Sequence, residues 1–237
     1  MQKLTIDQGN TRTKAAVFED EKLVERLENP GVDVLKTLAK QVNRTILSTV
    51  KKECQLKALL KKNDIFLNSQ TAIPLANLYN QPSTLGNDRL ALSVGANALF
   101  PGQNLLIIDM GSCVTFDLVN SQNAYLGGSI SPGLQMRFRA LHQFTSQLPL
   151  LEADHKQPDL IGQSTHNSIQ SGVINGLLSE IEGIILRYND VFPSLKVVIT
   201  GGDASFFDKA LKNTIFACPD LLMIGLNKIL DHNETIS

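Results

Sequence analysis

The sequence predicts an α/β protein of two similar lobes, each a mixed β-sheet flanked by helices, facing one another across a cleft. Three observations lead there. One short pattern occurs twice: Asp7-Gln8-Gly9-Asn10-Thr11 near the start, and Asp109-Met110-Gly111-Ser112 about a hundred residues later, each between two apolar, β-branched runs. In the first half, strands precede an alternation of helix and strand, the order expected of a mixed sheet with helices packed on it. The 237 residues are 43% hydrophobic and 19% charged, which supports a sizeable core in a soluble protein.

The first lobe is expected to span residues 1–102. Residues 2–8 and 13–18 lie on either side of Gly9-Asn10 and predict a β-hairpin, to which 22–27 adds a third strand. Val34, Leu35, Leu38 and Val42 recur at helical spacing and predict a helix over 32–42. Residues 45–50 form a short β-branched stretch suited to a buried parallel strand. Residues 56–62 read as helix and 65–67 as strand. A turn-rich stretch from Tyr79 to Arg89 feeds an Ala- and Leu-rich helix over 90–99, which Pro101-Gly102 ends.

The second lobe, 103–237, restarts the pattern with strands over 104–110, 114–119 and 125–130. Ser131-Pro132-Gly133 opens a helix that runs to Leu141. A long helix over 168–187 carries Gly172, Gly176 and Gly183 near one face, which allows close packing against a ligand or a second subunit. A buried strand over 195–200 runs into Gly201-Gly202-Asp203, and helices over 205–211 and 219–230 close the lobe.

Composition removes several function classes. A net charge of −1, no Trp and 5% aromatic residues give no basic patch or stacking platform for nucleic acid. Cys54, Cys113 and Cys218 are odd in number and widely spaced, which is neither a disulfide framework nor a metal site and fits a reducing cytoplasm. His142, His155, His166 and His232 have no metal-ligand spacing either. The N-terminus runs directly into a strand, so no signal peptide is expected, and no apolar run reaches the roughly 18 residues of a membrane span. There is no G-x-x-x-x-G-K-[ST] and no G-x-G-x-x-G after a strand, which argues against a P-loop enzyme and a Rossmann dinucleotide site.

Both repeated turns suit phosphate. Glycine lets backbone N–H groups approach an anion closely, the neighbouring hydroxyls add donors, and the Asp can hold a cation or its water shell. One such turn alone is an ordinary hairpin; the second copy, with Asp again two residues before Gly, favours a pair of clamps on a polyphosphate. Lys14 either neutralises phosphate charge or is a solvated strand lysine. Asp88, in Leu85-Gly86-Asn87-Asp88-Arg89, either caps the following helix or acts as a general base on a hydroxyl with Arg89 anchoring an anionic substrate. The two roles are not exclusive. Gly201-Gly202 is a strand-to-helix turn or a flat surface for adenine or ribose. Cys113 is a reactive nucleophile or a small apolar packing group, and the lack of a neighbouring His in sequence favours packing.

The duplicated hairpin and the late Gly-Gly turn resemble the acetate and sugar kinase/Hsp70/actin superfamily, whose halves each have a ribonuclease-H-like fold. Within it, the chain resembles the type III pantothenate kinases. Their D-x-G-N-T is matched at Asp7 to Thr11, Y-x-x-P-x-x-L-G-x-D-R at Tyr79 to Arg89, and D-x-G-T-A-x-T-x-D at Asp109 to Asp117. G-G-x-I-x-P-G follows at Gly127 to Gly133, a Thr four residues before I-x-x-G at Thr165, Ile169 and Gly172, and T-G-G-D-A at Thr200 to Ala204. The resemblance covers essentially the whole chain, in order.

It implies ATP-dependent phosphorylation of pantothenate, the first step of coenzyme A synthesis, with Mg²⁺ accompanying ATP and K⁺ or NH₄⁺ required. Asp7, Gln8, Gly9, Asn10, Thr11, Arg12, Thr13 and Lys14 would form the first phosphate-binding element, and Ser112 would contact ATP. Asp88 would be the general base. Tyr79, Gly86, Asn87, Asp88 and Arg89 would bind pantothenate, Thr165 would reach substrate across a homodimer interface, and Asp109 would bind the monovalent cation. Gly111-Ser112-Cys113 departs from the family's Gly-Thr-Ala but keeps the hydroxyl. The alternative is a nucleotide-binding regulatory accessory protein without kinase activity; the intact Asp88-Arg89 and Asp109 argue against it.

Overall fold

The structure, a computed structural model, describes residues 1–51, 53–154, 156–207, 211 and 215–235. Along the chain run β1 (Gln2–Gln8), β2 (Thr13–Glu19), β3 (Lys22–Glu28), α1 (Val32–Gln41), β4 (Arg44–Thr49), β5 (Ile65–Phe66), β6 (Ala76–Asn77) and α2 (Asn87–Leu99). There follow β7 (Leu105–Met110), β8 (Cys113–Val119), β9 (Ala124–Pro132), α3 (Leu134–Gln143), α4 (Thr165–Val191), β10 (Lys196–Thr200), α5 (Ala204–Phe207), β11 (Ile215–Ala217) and α6 (Leu221–Thr235). The chain groups into two compact units: residues 1–102, 119–127 and 220–237 in one, 103–118 and 128–219 in the other. The C-terminal helix, expected with the second lobe, therefore belongs with the first unit.

In the first unit the sheet order is β3-β2-β1-β4-β5. The hairpin β1–β2 is antiparallel, from Gln2 opposite Glu19 to Gln8 opposite Thr13, and β4 joins β1 in parallel. Side chains alternate between the faces of β1. Leu4 and Ile6 pack with Ala15, Val17 and Leu47 beneath Leu35 and Ala39 of α1. Thr5, on the opposite face, reaches Met223 of α6, and Lys3 pairs with Asp231 of the same helix. Asp7 continues that second row. Helices α2 and α6 cross where Gly95 meets Gly225; a Cβ on Gly225 would collide with the Ala91 carbonyl. That close approach ties the C-terminal helix to α2.

The second unit repeats the arrangement, with β9-β8-β7-β10-β11 in the order of β3-β2-β1-β4-β5. β10 runs parallel to both β7 and β11. Ile169, Val173, Leu177, Ile181 and Ile185 recur every four residues along α4 and bury against Leu106, Ile108, Phe116 and Val197. β9 begins in the first unit, where Ala124 and Tyr125 pair with β6.

Some expectations shift. The helix expected over 56–62 is one 3₁₀ turn, Gln55–Leu59, before the chain re-enters the sheet. The helix expected from Leu90 starts at Asn87, and that expected from Ser168 starts at Thr165, where the Ser164 hydroxyl accepts from the Asn167 N–H at 3.2 Å. β6 and β11 carry too few residues for their periodicity to show. His155 and most of the stretch after Phe207 in the expected helix over 205–211 lie outside the described residues.

Candidate active site

In the first unit the site starts from strand register. Lys14 on β2 and Ser48 on β4 are the Cα partners of Asp7, so Lys14, Asp7 and Ser48 form one row across the sheet. β1 and β4 are parallel and both end here, the carboxyl edge where open α/β sheets place ligands. Beyond it the chain turns tightly, the Gly9 N–H donating to the Arg12 carbonyl at 3.0 Å. Asn10, Thr11 and Arg12 are exposed, and Gln8, Gly9, Thr13 and Lys14 half-buried.

Asp7 is 7% exposed and its Oδ1 has no hydrogen-bond partner. Burial pushes its pKa from 3.8 to about 6; the negative charge of Asp88 adds to the rise, while the Ser48 hydroxyl and Lys14 oppose it. Ser48 faces the carboxyl without the geometry of a formed hydrogen bond, since its buried Oγ is unpartnered too. A buried, unpartnered carboxylate oxygen is uncommon in a folded protein.

The influence of Asp88 on Asp7 shows that the structure brings these two predicted acids together. Asp88 stands in the first turn of α2, behind Gly86, whose Cβ would collide with the Asp88 carboxylate. Gly86 occupies the N-cap position without a side-chain cap, so Asp88 is not the capping residue that one reading of the sequence allowed. Its Oδ1 accepts from the Arg89 N–H at 2.8 Å. Asn87 anchors the turn by donating from Nδ2 to the Leu67 carbonyl at 3.0 Å. Arg89 is buried at 6% exposure. Tyr79 packs its ring on that of buried Tyr125, with centroids 6.2 Å apart, and on Gly127, whose Cβ would lie 3.3 Å from it. The positive φ of Gly127, 101°, further favours glycine there.

In the second unit Asp109 lies near the end of β7, opposite Thr200 of β10, with its carboxylate over Gly111. Two loops press on this turn. A Cβ on Gly133, which caps α3, would collide with the carbonyls of Gly111 and Ser112. A Cβ on Gly201 would collide with the backbone of Met110, whose carbonyl accepts from the Asp203 N–H at 3.0 Å. The Gly201-Gly202 turn thus supports the second Asp-x-Gly element at close range. Ser112 is exposed, as is Thr165 at the start of α4. Thr165 lines a cavity of about 900 Å³ between α3 and α4, together with Arg137, Phe144, Ile169 and Gly172. Nothing among the described residues lies within 4 Å of a Cβ placed on Gly172, Gly176 or Gly183, so that line of glycines faces open space.

Sequence reasoning missed Ser48 and Thr49. Thr49 donates from Oγ1 to Gln8 Oε1 at 3.1 Å, and together they flank the end of β1. Their only signal was a Ser-Thr pair ending an apolar strand. Among the described residues no group of three or more His, Cys, Asp or Glu side chains forms a metal site, and no helix is long and apolar enough to cross a membrane.

Comparison with known proteins bears on this arrangement. A Clostridium difficile activator of 2-hydroxyisocaproyl-CoA dehydratase, solved with bound ADPNP, superposes with a TM-score of 0.56 at 12% identity, over all of this chain and 98% of that one. A Campylobacter jejuni protein described as a Baf family transcriptional activator gives 0.64 at 22%, over 98% and 99%. At these identities the likeness establishes the fold alone, an actin-like one. The type III pantothenate kinase of Christiangramia forsetii is 44% identical over 98% of this chain and 99% of its own, and that of Bacteroides fragilis 43% over 98% of each. Residues 3–187 match the family Type III pantothenate kinase, and the chain belongs to that family.

Proposed function

We propose that this chain transfers the γ-phosphoryl group of ATP to the primary hydroxyl of pantothenate, giving 4′-phosphopantothenate for coenzyme A synthesis. Beyond family membership, the reading is carried by one observation: a part-exposed carboxylate, Asp88, held in the first turn of α2 and electrostatically coupled to the buried carboxyl of Asp7 at a sheet's carboxyl edge.

Asp88 orients the pantothenate hydroxyl and takes its proton as the oxygen attacks phosphorus. The bond from the γ-phosphorus to the bridging oxygen breaks, and ADP leaves. Arg89 meets the substrate carboxylate with a desolvated guanidinium, a setting in which such a pair is strong. Tyr79, Gly86 and Asn87 shape the remainder of the acceptor site. Gln8 to Thr13 present backbone N–H groups and hydroxyls to phosphate, and Lys14 offsets its charge. Ser112 contributes a hydroxyl to ATP.

The unpartnered Oδ1 of Asp7 suits the water shell of a Mg²⁺ ion carried by ATP; bound there, Mg²⁺ neutralises phosphate charge. Asp109 suits K⁺ or NH₄⁺ as a carboxylate oxygen donor. The open glycine face of α4, with Leu186 and Val191 exposed beside it, suits a second copy of the chain. In that homodimer Thr165 reaches the substrate of the partner subunit. ATP supply places the enzyme in the cytoplasm.

Release of ADP is followed in a coupled assay with pantothenate, with and without potassium. Pantothenate-dependent ADP release that rises with potassium supports the reading. ADP release unchanged by pantothenate overturns it.

A further inference from the structure

Two buried polar atoms stand side by side with no partner in the first unit: Asp7 Oδ1 and Ser48 Oγ. Ser48 is fully buried, and strand register sets it beside Asp7. An orphaned hydroxyl normally costs stability, and alanine would remove that cost without leaving a large void. Its presence therefore calls for a role that an apolar residue could not fill. The other neighbours of Asp7 do not fill it. Lys14 is its partner on the opposite strand and a charge, not a fixed short donor, while Thr49 is engaged with Gln8.

We infer that Ser48 is a positioning residue for phosphoryl transfer, its hydroxyl donating to Asp7 Oδ1 when nucleotide is bound and fixing the carboxylate in one rotamer. The inference rests on the phosphate-side role proposed above for Asp7. In the free protein neither atom has a formed hydrogen bond, although strand register sets the two side chains beside one another and the Ser48 hydroxyl already lowers the Asp7 pKa. Thr49 acts beside it, tying Gln8 to β4 so that the end of β1 and the end of β4 move as one. Strand β4 thereby becomes part of the phosphate element, although none of its residues lies in the Asp-x-Gly turn. Ser48 touches no substrate in this arrangement; it acts through Asp7.

The test uses the full chain with Ser48→Ala, Ser48→Cys and Asp7→Asn, alone and combined. Ser48→Ala is expected to lower kcat by about tenfold or more, the scale on which misplacement of a reacting group is felt, with KM for pantothenate nearly unchanged. Ser48→Cys keeps the volume with a weaker donor and is expected to fall between alanine and wild type. In the Asp7→Asn background, Ser48→Ala should change turnover by less than about twofold, because the group it positions is already gone. Where turnover of that background is too low, the same cycle is measured as affinity for Mg²⁺ with a non-hydrolysable ATP analogue. A thermal melt of each variant reports folding, and if Ser48→Ala does not fold, Ser48→Cys carries the kinetic test alone.

A folded Ser48 variant with wild-type kcat overturns the inference. So does a Ser48→Ala effect of equal size with and without Asp7, which is what a purely structural role would produce. If wild-type protein transfers no phosphate to pantothenate, the proposed function fails instead, and the two failures are told apart by that control.

Discussion

Replacing Asp7 by Asn should make the free protein more stable while it loses activity. Burial holds the Asp7 pKa at about 6 against 3.8. A tenfold change in proton affinity is about 1.4 kcal/mol, so ionised Asp7 disfavours the folded state by up to about 3 kcal/mol. The sign follows from the raised value. Below the ordinary carboxylate range both states hold the proton and nothing is lost. Between 3.8 and about 6 the unfolded chain ionises first, and stability falls as pH rises; beyond that the loss is complete. Asparagine never ionises, and its amide can donate to Ser48 Oγ. The variant should therefore gain about 3 kcal/mol at about pH 8 and about half of that at about pH 5. In a chain of this size that corresponds to a melting point roughly 6–12 °C higher at the alkaline end. Paired thermal melts of ligand-free wild type and Asp7→Asn across this range measure it. A variant no more stable than wild type at about pH 8, or a gain that does not grow with pH, refutes the reasoning. On the role proposed for Asp7, that lost stability is exchanged for activity, a common trade.

Asp88→Asn should lower kcat by about 10²–10⁴ while ATP affinity, by calorimetry, stays close to wild type; turnover near wild type would remove Asp88 from the role of base. Gly86→Ala places a methyl group against the Asp88 carboxylate and should cost about tenfold or more in kcat with the melt little changed, whereas an unaltered kcat would show that the carboxylate has room to move. Gly127→Ala presses on the Tyr79 ring and strains a backbone at positive φ, so KM for pantothenate should rise several-fold, about the effect of 1 kcal/mol, with KM for ATP unchanged; equal changes in both would place Tyr79 elsewhere. Gly225→Ala separates α6 from α2 and should destabilise by about 1–3 kcal/mol in urea titration, more than offsetting the helix propensity gained; a stabilised variant would mean that the two helices can part without loss.

Local sequence determined a good deal of this protein. The hairpins around Gly9 and Gly111, most helices and most strands were legible because apolar periodicity and turn residues act over a few positions. The doubled Asp-x-Gly pattern also announced the doubled sheet order, since similar segments fold into similar hairpins. Asp7 and Asp109 stood out because the same Asp-x-Gly turn occurs twice, whereas Asp88 was open to two readings until the family resemblance favoured one.

Tertiary structure alone decided the rest. The C-terminal helix belongs with the first unit because Gly95 and Gly225, far apart in the chain, let two helices meet backbone to backbone. Asp88 is coupled to Asp7 because α2 begins near the carboxyl edge of β1, and no spacing in the sequence encodes that meeting. Ser48 comes to lie beside Asp7 only through parallel register, a relation set by hydrogen bonds between strands some forty residues apart. Burial is likewise a collective result of packing, so the raised pKa of Asp7 could not be seen one residue at a time.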